Sequence, residues 1–233
     1  MRCEHAWNEY RTGRFIDDES KDAYKLGHYF ETFLSGTDSE KQQFIENNQD
    51  MFSSRGKTKG NLKAQYRSAQ ECVDAVKSQP FLMDIINRSK KQVILTGELF
   101  GAPFRVMYDL LAPDGSIYDL KLMKSFDREW SNLAESYVEW YEYWRYDAQM
   151  WIYREVARQN GINVPNVGLI AASKSNRDIQ AIRFSENAMV QAGSDVEYTV
   201  GRMLDIINGD EPIRCESCQV CLKTKKINNF VEV

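Results

Sequence analysis

No apolar run in this chain approaches the roughly 20 residues needed to cross a bilayer, and its opening, Met1-Arg2-Cys3-Glu4-His5, lacks the apolar stretch of a secretory signal. A cytoplasmic protein with no membrane partner is the expectation. Net positive charge is missing too, since 30 Lys and Arg stand against 34 Asp and Glu for a formal charge of −4. That balance argues against holding nucleic acid by bulk charge alone. It is compatible with a site that groups carboxylates around divalent cations and leaves further contacts to local basic runs. Candidates are Arg55, Lys57, Lys59 and Lys63; Arg88, Lys90 and Lys91; and Lys223, Lys225 and Lys226. Solvated loops are their plainer reading. Internal repeats and low-complexity segments are also lacking.

What is present is 233 residues, 42% of them hydrophobic, enough to bury a core as one domain over residues 1–233. Apolar residues at helical spacing predict a helix from Asp17 to Leu34, carrying Glu31 and stopped by Gly36. Thr37 with Glu40 forms a capping box for a second helix through Phe52. Residues 53–60 read as a loop. Leu62, Tyr66, Ala69, Val73 and Val76 mark one face of a helix ending before Pro80, with Cys72 beside that face as a small core residue. Three strands follow in a meander, Gln92 to Phe100, Pro103 to Leu111 and Ser116 to Met123, the last two joined by the turn Ala112-Pro113-Asp114-Gly115. A long helical region is expected from Asp127 to Gln159. Strands at Val167 to Ser173 and Ile179 to Phe184 and a helix from Glu186 to Asn208 complete the order, which is that of an α/β fold with a mixed central sheet flanked by helices.

The stretch with chemistry in it is Ile117-Tyr118-Asp119-Leu120-Lys121. On an extended strand Asp119 and Lys121 share one face while Tyr118 and Leu120 share the other. Asp109 ends the preceding strand, and the turn can fold it back beside Asp119. Two carboxylates held together repel each other, and a divalent cation with oxygen ligands relieves that repulsion. The arrangement suits phosphodiester hydrolysis with Mg2+ or Mn2+, with Lys121 placing a water or neutralising charge and the Leu120 carbonyl as a further ligand. Alone, Asp-x-Lys on a strand is more often just a polar face.

The combination of motifs resembles the RecB-like branch of the restriction-endonuclease-like, PD-(D/E)xK, nucleases, and most of all the RecE-like exonucleases of phages and prophages. Gly27 to Glu31 fits the Gly-x-x-x-Glu helix of that pattern, Asp109 its aspartate, Asp119 to Lys121 its Asp-x-Lys, and Gln149 to Tyr153 its Gln-x-x-x-Tyr. Residues four apart on a helix share a face, so Gln149 and Tyr153 can both look toward the site. The likeness extends into Thr96-Gly97-Glu98-Leu99-Phe100-Gly101 and Arg214-Cys215-Glu216-Ser217-Cys218. Glu98 is read as a polar hairpin residue, with a place near the site as the alternative. His28 is not the expected helix ligand. Trp130, Trp140, Trp144 and Trp151 read as packing rather than base-stacking platforms. Relatives usually carry further residues before the position of Cys3, which leaves the N-terminal packing open.

Cys215, Cys218 and Cys221 follow one another with two residues between each pair in the tail, residues 209–226. Such spacing suits a metal that needs a fourth ligand, which Cys3 could supply. The resemblance implies a four-iron four-sulfur cluster tying the chain ends together. Zinc is the competitor, with His5 then a possible ligand. It further implies an exonuclease acting on double-stranded DNA ends for recombination, with a single-strand annealing recombinase as partner and a homo-oligomer allowed. The rival readings are a non-catalytic DNA-binding or assembly module on the same scaffold, or a single-strand-specific nuclease or endonuclease.

Overall fold

A computed structural model describes residues 3–15, 20–131 and 134–227. The chain runs through α1 (Glu4–Arg11), α2 (Ser20–Ser35), α3 (Asp38–Asn47), α4 (Ala64–Lys77) and α5 (Pro80–Arg88). A meander follows, of β1 (Lys90–Leu99), β2 (Ala102–Leu111) and β3 (Ile117–Met123). Next come a small hairpin, β4 (Glu129–Ser131) and β5 (Ser136–Val138), and the helices α6 (Trp140–Tyr143) and α7 (Tyr146–Gln159). The strands β6 (Val167–Ser173) and β7 (Ile179–Arg183) precede α8 (Glu186–Ile207) and α9 (Gln219–Lys223). The expected start of the second helix at Asp17 lies outside the described residues.

The main sheet is ordered β1-β2-β3-β6-β7. Only β3 and β6 pair in parallel, so the sheet is mixed as expected. β6 is buried at every position because helices cover both its faces, and its sequence, Val-Gly-Leu-Ile-Ala-Ala-Ser, is apolar on both sides accordingly. On one face Ile117, Met123 and Leu169 pack with Trp140, Met150 and Val156 of α6 and α7 and with Met189 and Ala192 of α8. On the other, Leu120 and Ile170 pack with Phe30 and Leu34 of α2, Val73 and Val76 of α4, and Ile86 of α5. Each large apolar side chain buried there contributes about 1.5–3 kcal/mol, and together they fix how α2 and α7 lie against the sheet.

Local chemistry sets the boundaries. The Thr37–Glu40 capping box forms, but α3 stops at Asn47, before Phe52. Pro80 starts α5 three residues after α4 ends, and the carbonyls of Ile86 in its last turn and of Ser89, its C-cap, accept from the Lys91 ammonium. Lys91 is therefore turned into the protein and is not part of a free basic run. The predicted helix from Asp127 is corrected: the β4–β5 hairpin occupies its first part, and helix resumes at Trp140. Aromatic richness misled there, because Trp130 and Tyr137 pack edge-on across the hairpin. Trp140 is packing as expected, whereas Trp130 and Trp144 are about half exposed.

Candidate active site and a thiol cage

The turn between β2 and β3 brings Asp109 and Asp119 to neighbouring strands. Gly115 has φ of +88° there, and a Cβ on it would lie 2.0 Å from the Asn163 carbonyl, so no other residue fits. Asp114 accepts from the Ser116 amide at 2.9 Å, closing the turn. β2 and β3 pair only at Leu111–Ile117 and Leu110–Tyr118. Beyond that point the ladder ends, and the Leu120 amide donates instead to Asp109 Oδ2 at 2.8 Å. The side chain thus stands where a strand carbonyl would otherwise be.

This opening admits side chains from both helical layers. One cavity is lined by Gly27, Glu31, Asp109, Asp119, Leu120, Lys121, Gln149 and Tyr153, which brings together all the expected hydrolytic residues. Glu31 comes from α2, where Gly27, one turn earlier, leaves open space on the same face. Gln149 and Tyr153 come from α7, and Gln149 Nε2 donates to Asp119 Oδ1 at 3.0 Å and to the Tyr153 hydroxyl at 2.8 Å. The Lys121 ammonium pairs with Asp119 Oδ2 and lies 4.8 Å from the Tyr146 ring centroid. The paired position of Asp119 and Lys121 follows from the period of β3.

Charge in this cavity is out of balance. Burial, then the neighbouring Asp119 and Glu31 charges, push the Asp109 carboxyl up to about 8. Burial likewise raises Asp119, against the pull of Lys121. Burial alone would lower Lys121, but attraction to Asp119 outweighs it and the ammonium is held protonated. Asp119 is only 2% exposed, and its Oδ2, though ion-paired with Lys121, receives no aligned hydrogen bond. Three neighbouring carboxylates, Glu31, Asp109 and Asp119, face one ammonium, and that excess of negative charge favours a further cation. The donor set, carboxylates and a main-chain carbonyl, is the hard oxygen chemistry that suits Mg2+ or Mn2+.

A second cavity of about 720 Å³ adjoins the first, with Tyr24, His28, Glu31 and Gln92 lining both. Amide side chains of Gln43, Asn47 and Asn48 line its far side. Sequence reasoning missed Gln92 and Tyr146 as cavity residues. Tyr146 was within reach, because it lies three and seven residues before Gln149 and Tyr153 on one helical face. Glu98 does not line the cavity; it lies at the far end of β1, where its carbonyl accepts from Gln159 at 2.7 Å.

A separate cluster joins the chain ends. The sulfurs of Cys3, Cys215, Cys218 and Cys221 all lie within 4.8 Å of one another, with 3.5 Å between Cys3 and Cys221 and 3.9 Å between Cys215 and Cys221. Cys3 caps α1 and Cys218 caps α9. Backbone amides of Ala6, Cys218 and Cys221 point at the sulfurs of Cys3, Cys215 and Cys218, a pattern that favours thiolates. Burial pushes the Cys218 thiol up to about 12, and Cys215 falls to about 6 because, against burial, the Ser217 hydroxyl and amide outweigh it. The four sulfurs could hold a metal. His5 is not among them; it bonds Thr224 at 3.0 Å and Arg214 at 2.8 Å. Cys72 is fully buried far along the chain and donates to the Ser173 carbonyl, a core residue as expected.

The family model described as a PDDEXK-like domain of unknown function (DUF3799) matches residues 1–224. The chain belongs to this PDDEXK-like family. A similar solved structure is the crystal structure of a "Putative exonuclease" from Eubacterium rectale, 31% identical, with a TM-score of 0.83 over 100% of this chain and 85% of that one. The crystal structure of SSO0001 aligns over 75% of this chain and 84% of that one at 11% identity, and its TM-score of 0.32 supports no argument. Among curated proteins none matches. As a PDDEXK-like domain with this neighbour, the chain is of a nuclease kind, and no helix among its described residues is long and apolar enough to cross a membrane.

Proposed function

We propose that the chain is a metal-dependent DNA exonuclease that hydrolyses phosphodiester bonds of linear double-stranded DNA from an end. The observation that carries this is the grouping of the buried Asp119 carboxylate with Asp109, Glu31 and a single ammonium, Lys121, in one cavity. Glu31, Asp109, Asp119 and the Leu120 carbonyl would hold Mg2+ or Mn2+, which when bound supplies Lewis acidity toward water and phosphate. Lys121 offsets the negative charge that grows on the phosphate. Gln149 fixes the rotamer of Asp119, and Tyr153, hydrogen-bonded to Gln149, orients substrate from α7. The adjoining cavity gives one flank of a bound strand a place to go, which supports action at an end. Recombination of phage type, with a single-strand annealing partner, is the setting the sequence resemblance supports.

The thiol cage is proposed as a structural metal centre separate from the cutting site. Resemblance favours a four-iron four-sulfur cluster there. The spacing of the sulfurs favours zinc, since Zn–S bonds of 2.3 Å set thiolates about 3.8 Å apart, whereas a cubane holds them farther apart. Colour and metal content of anaerobically purified protein decide between the two.

End-labelled linear DNA and closed circular DNA, each incubated with Mg2+ or Mn2+ and with chelator, test the activity. Release of label from linear duplex alone, abolished by chelator, is expected. Cleavage of circles would replace the exonuclease with an endonuclease, and binding without cleavage would leave a non-catalytic module.

A further inference from the structure

The ladder between β1 and β2 is continuous except at one place. Lys91 pairs with Leu110 and Val93 with Tyr108, while the pair between them, Gln92 with Asp109, is missing. Gln92 has φ of +49°, a left-handed backbone uncommon for a residue with a side chain and here set inside a strand. β2 changes its buried side at the same place: Val106 and Tyr108 pack toward α7, but Leu110 packs toward α2, α4 and α5. The strained residue and the change of face coincide with Asp109.

The distortion has a consequence for the opposite wall. Gln92 Nε2 donates to Glu31 Oε1 at 3.0 Å, and Gln92 lines both cavities beside that carboxylate. Glu31 stands on α2, a helix that otherwise meets the sheet through apolar side chains. Its Oε2 accepts no hydrogen bond among the described residues.

We propose that Gln92 is a positioning residue for the metal site, holding Glu31 by one oxygen so that the other faces the cation beside Asp109. This rests on the metal-dependent reading of that cavity. A single distorted pair of the ladder then serves two carboxylates: it aims Asp109 from β2 and restrains Glu31 from β1. A carboxylate restrained before the cation arrives loses less freedom on binding, which is the way groups behind metal ligands raise affinity.

The test is calorimetric titration of metal-free protein with Mn2+, with melting temperature as a second readout. Gln92→Gly keeps the left-handed backbone without strain, so it folds with a melting temperature at or above that of the parent. Its Mn2+ affinity should fall about tenfold, and Gln92→Met, which keeps the length and loses the donor, should match it. Combining Gln92→Met with Glu31→Ala should weaken binding no further than Glu31→Ala alone, because the amide acts through that carboxylate. Parental Mn2+ affinity in Gln92→Gly, or an additive loss in the double variant, overturns the proposal. If Asp119→Ala also binds Mn2+ like the parent, the cavity is not the metal site, and the functional reading falls with Gln92.

Discussion

The carboxylate cavity and the thiol cage are both clusters of ionisable side chains, yet they are built in opposite ways. The first hangs on α2, β2, β3 and α7, elements fixed by two apolar cores, and its acidic groups oppose one another. The second joins Cys3, the cap of α1, to Cys215, Cys218 and Cys221 in and just before α9, and backbone amides donate to three of its sulfurs. A site on rigid elements can lose a charged group without losing the fold. A site that itself joins the elements cannot.

The largest effect should separate them in activity. Asp119→Ala or Lys121→Ala should lower nuclease turnover at least about a hundredfold, on the order of 3 kcal/mol of barrier, with the fold retained and the melting temperature lowered only by the charge left unpaired. Turnover on labelled linear duplex checks this. A folded variant that cuts like the parent would remove that residue from the site.

Cys3→Ser or Cys218→Ser should do the reverse, lowering melting temperature strongly while the carboxylate cavity keeps its geometry. Metal binding to a site absent from the unfolded chain adds directly to folding free energy, about 10–16 kcal/mol for structural zinc in small peptides. A Cys3→Ser variant of parental stability and metal content would end the structural role.

Stability against pH offers a smaller contrast. The Asp109 carboxyl, lifted by burial from 3.8 to about 8, binds more protons folded than unfolded across that interval. Stability of the metal-free protein should therefore fall as pH rises from about 4 to about 8. Mg2+ or Mn2+ should reverse the loss at pH 8, and Asp109→Asn should flatten the profile. A flat parental profile in metal-free buffer would contradict the burial of charge.

Gln149→Ala and Tyr153→Phe should have the smallest effects, lowering turnover less than the Asp119 or Lys121 variants, since these side chains orient groups rather than hold the cation. Loss equal to that of Asp119→Ala, together with lost metal, would make Gln149 a ligand.

Much of this was legible in the chain because period reports face. The meander, β6 and β7, α8 and the shared face of Asp119 and Lys121 all follow from alternation and turn chemistry. Glu31 needed the resemblance, since a lone acidic residue on an amphipathic helix has no signature of its own. The distortion at Gln92 was hidden because a left-handed glutamine leaves no trace in composition. The β4–β5 hairpin was hidden because Trp and Tyr serve helix and strand alike. α1 was missed because eight residues, Glu4–Arg11, are too few for a convincing apolar face.

The most direct test of the account is anomalous diffraction from crystals of the protein grown with Mn2+, with data collected at the manganese, iron and zinc edges. A manganese peak among Glu31, Asp109 and Asp119, with iron or zinc and no manganese among the four cysteines, is the predicted result. A carboxylate cavity free of manganese, with manganese bound at the cysteines or nowhere, would contradict it.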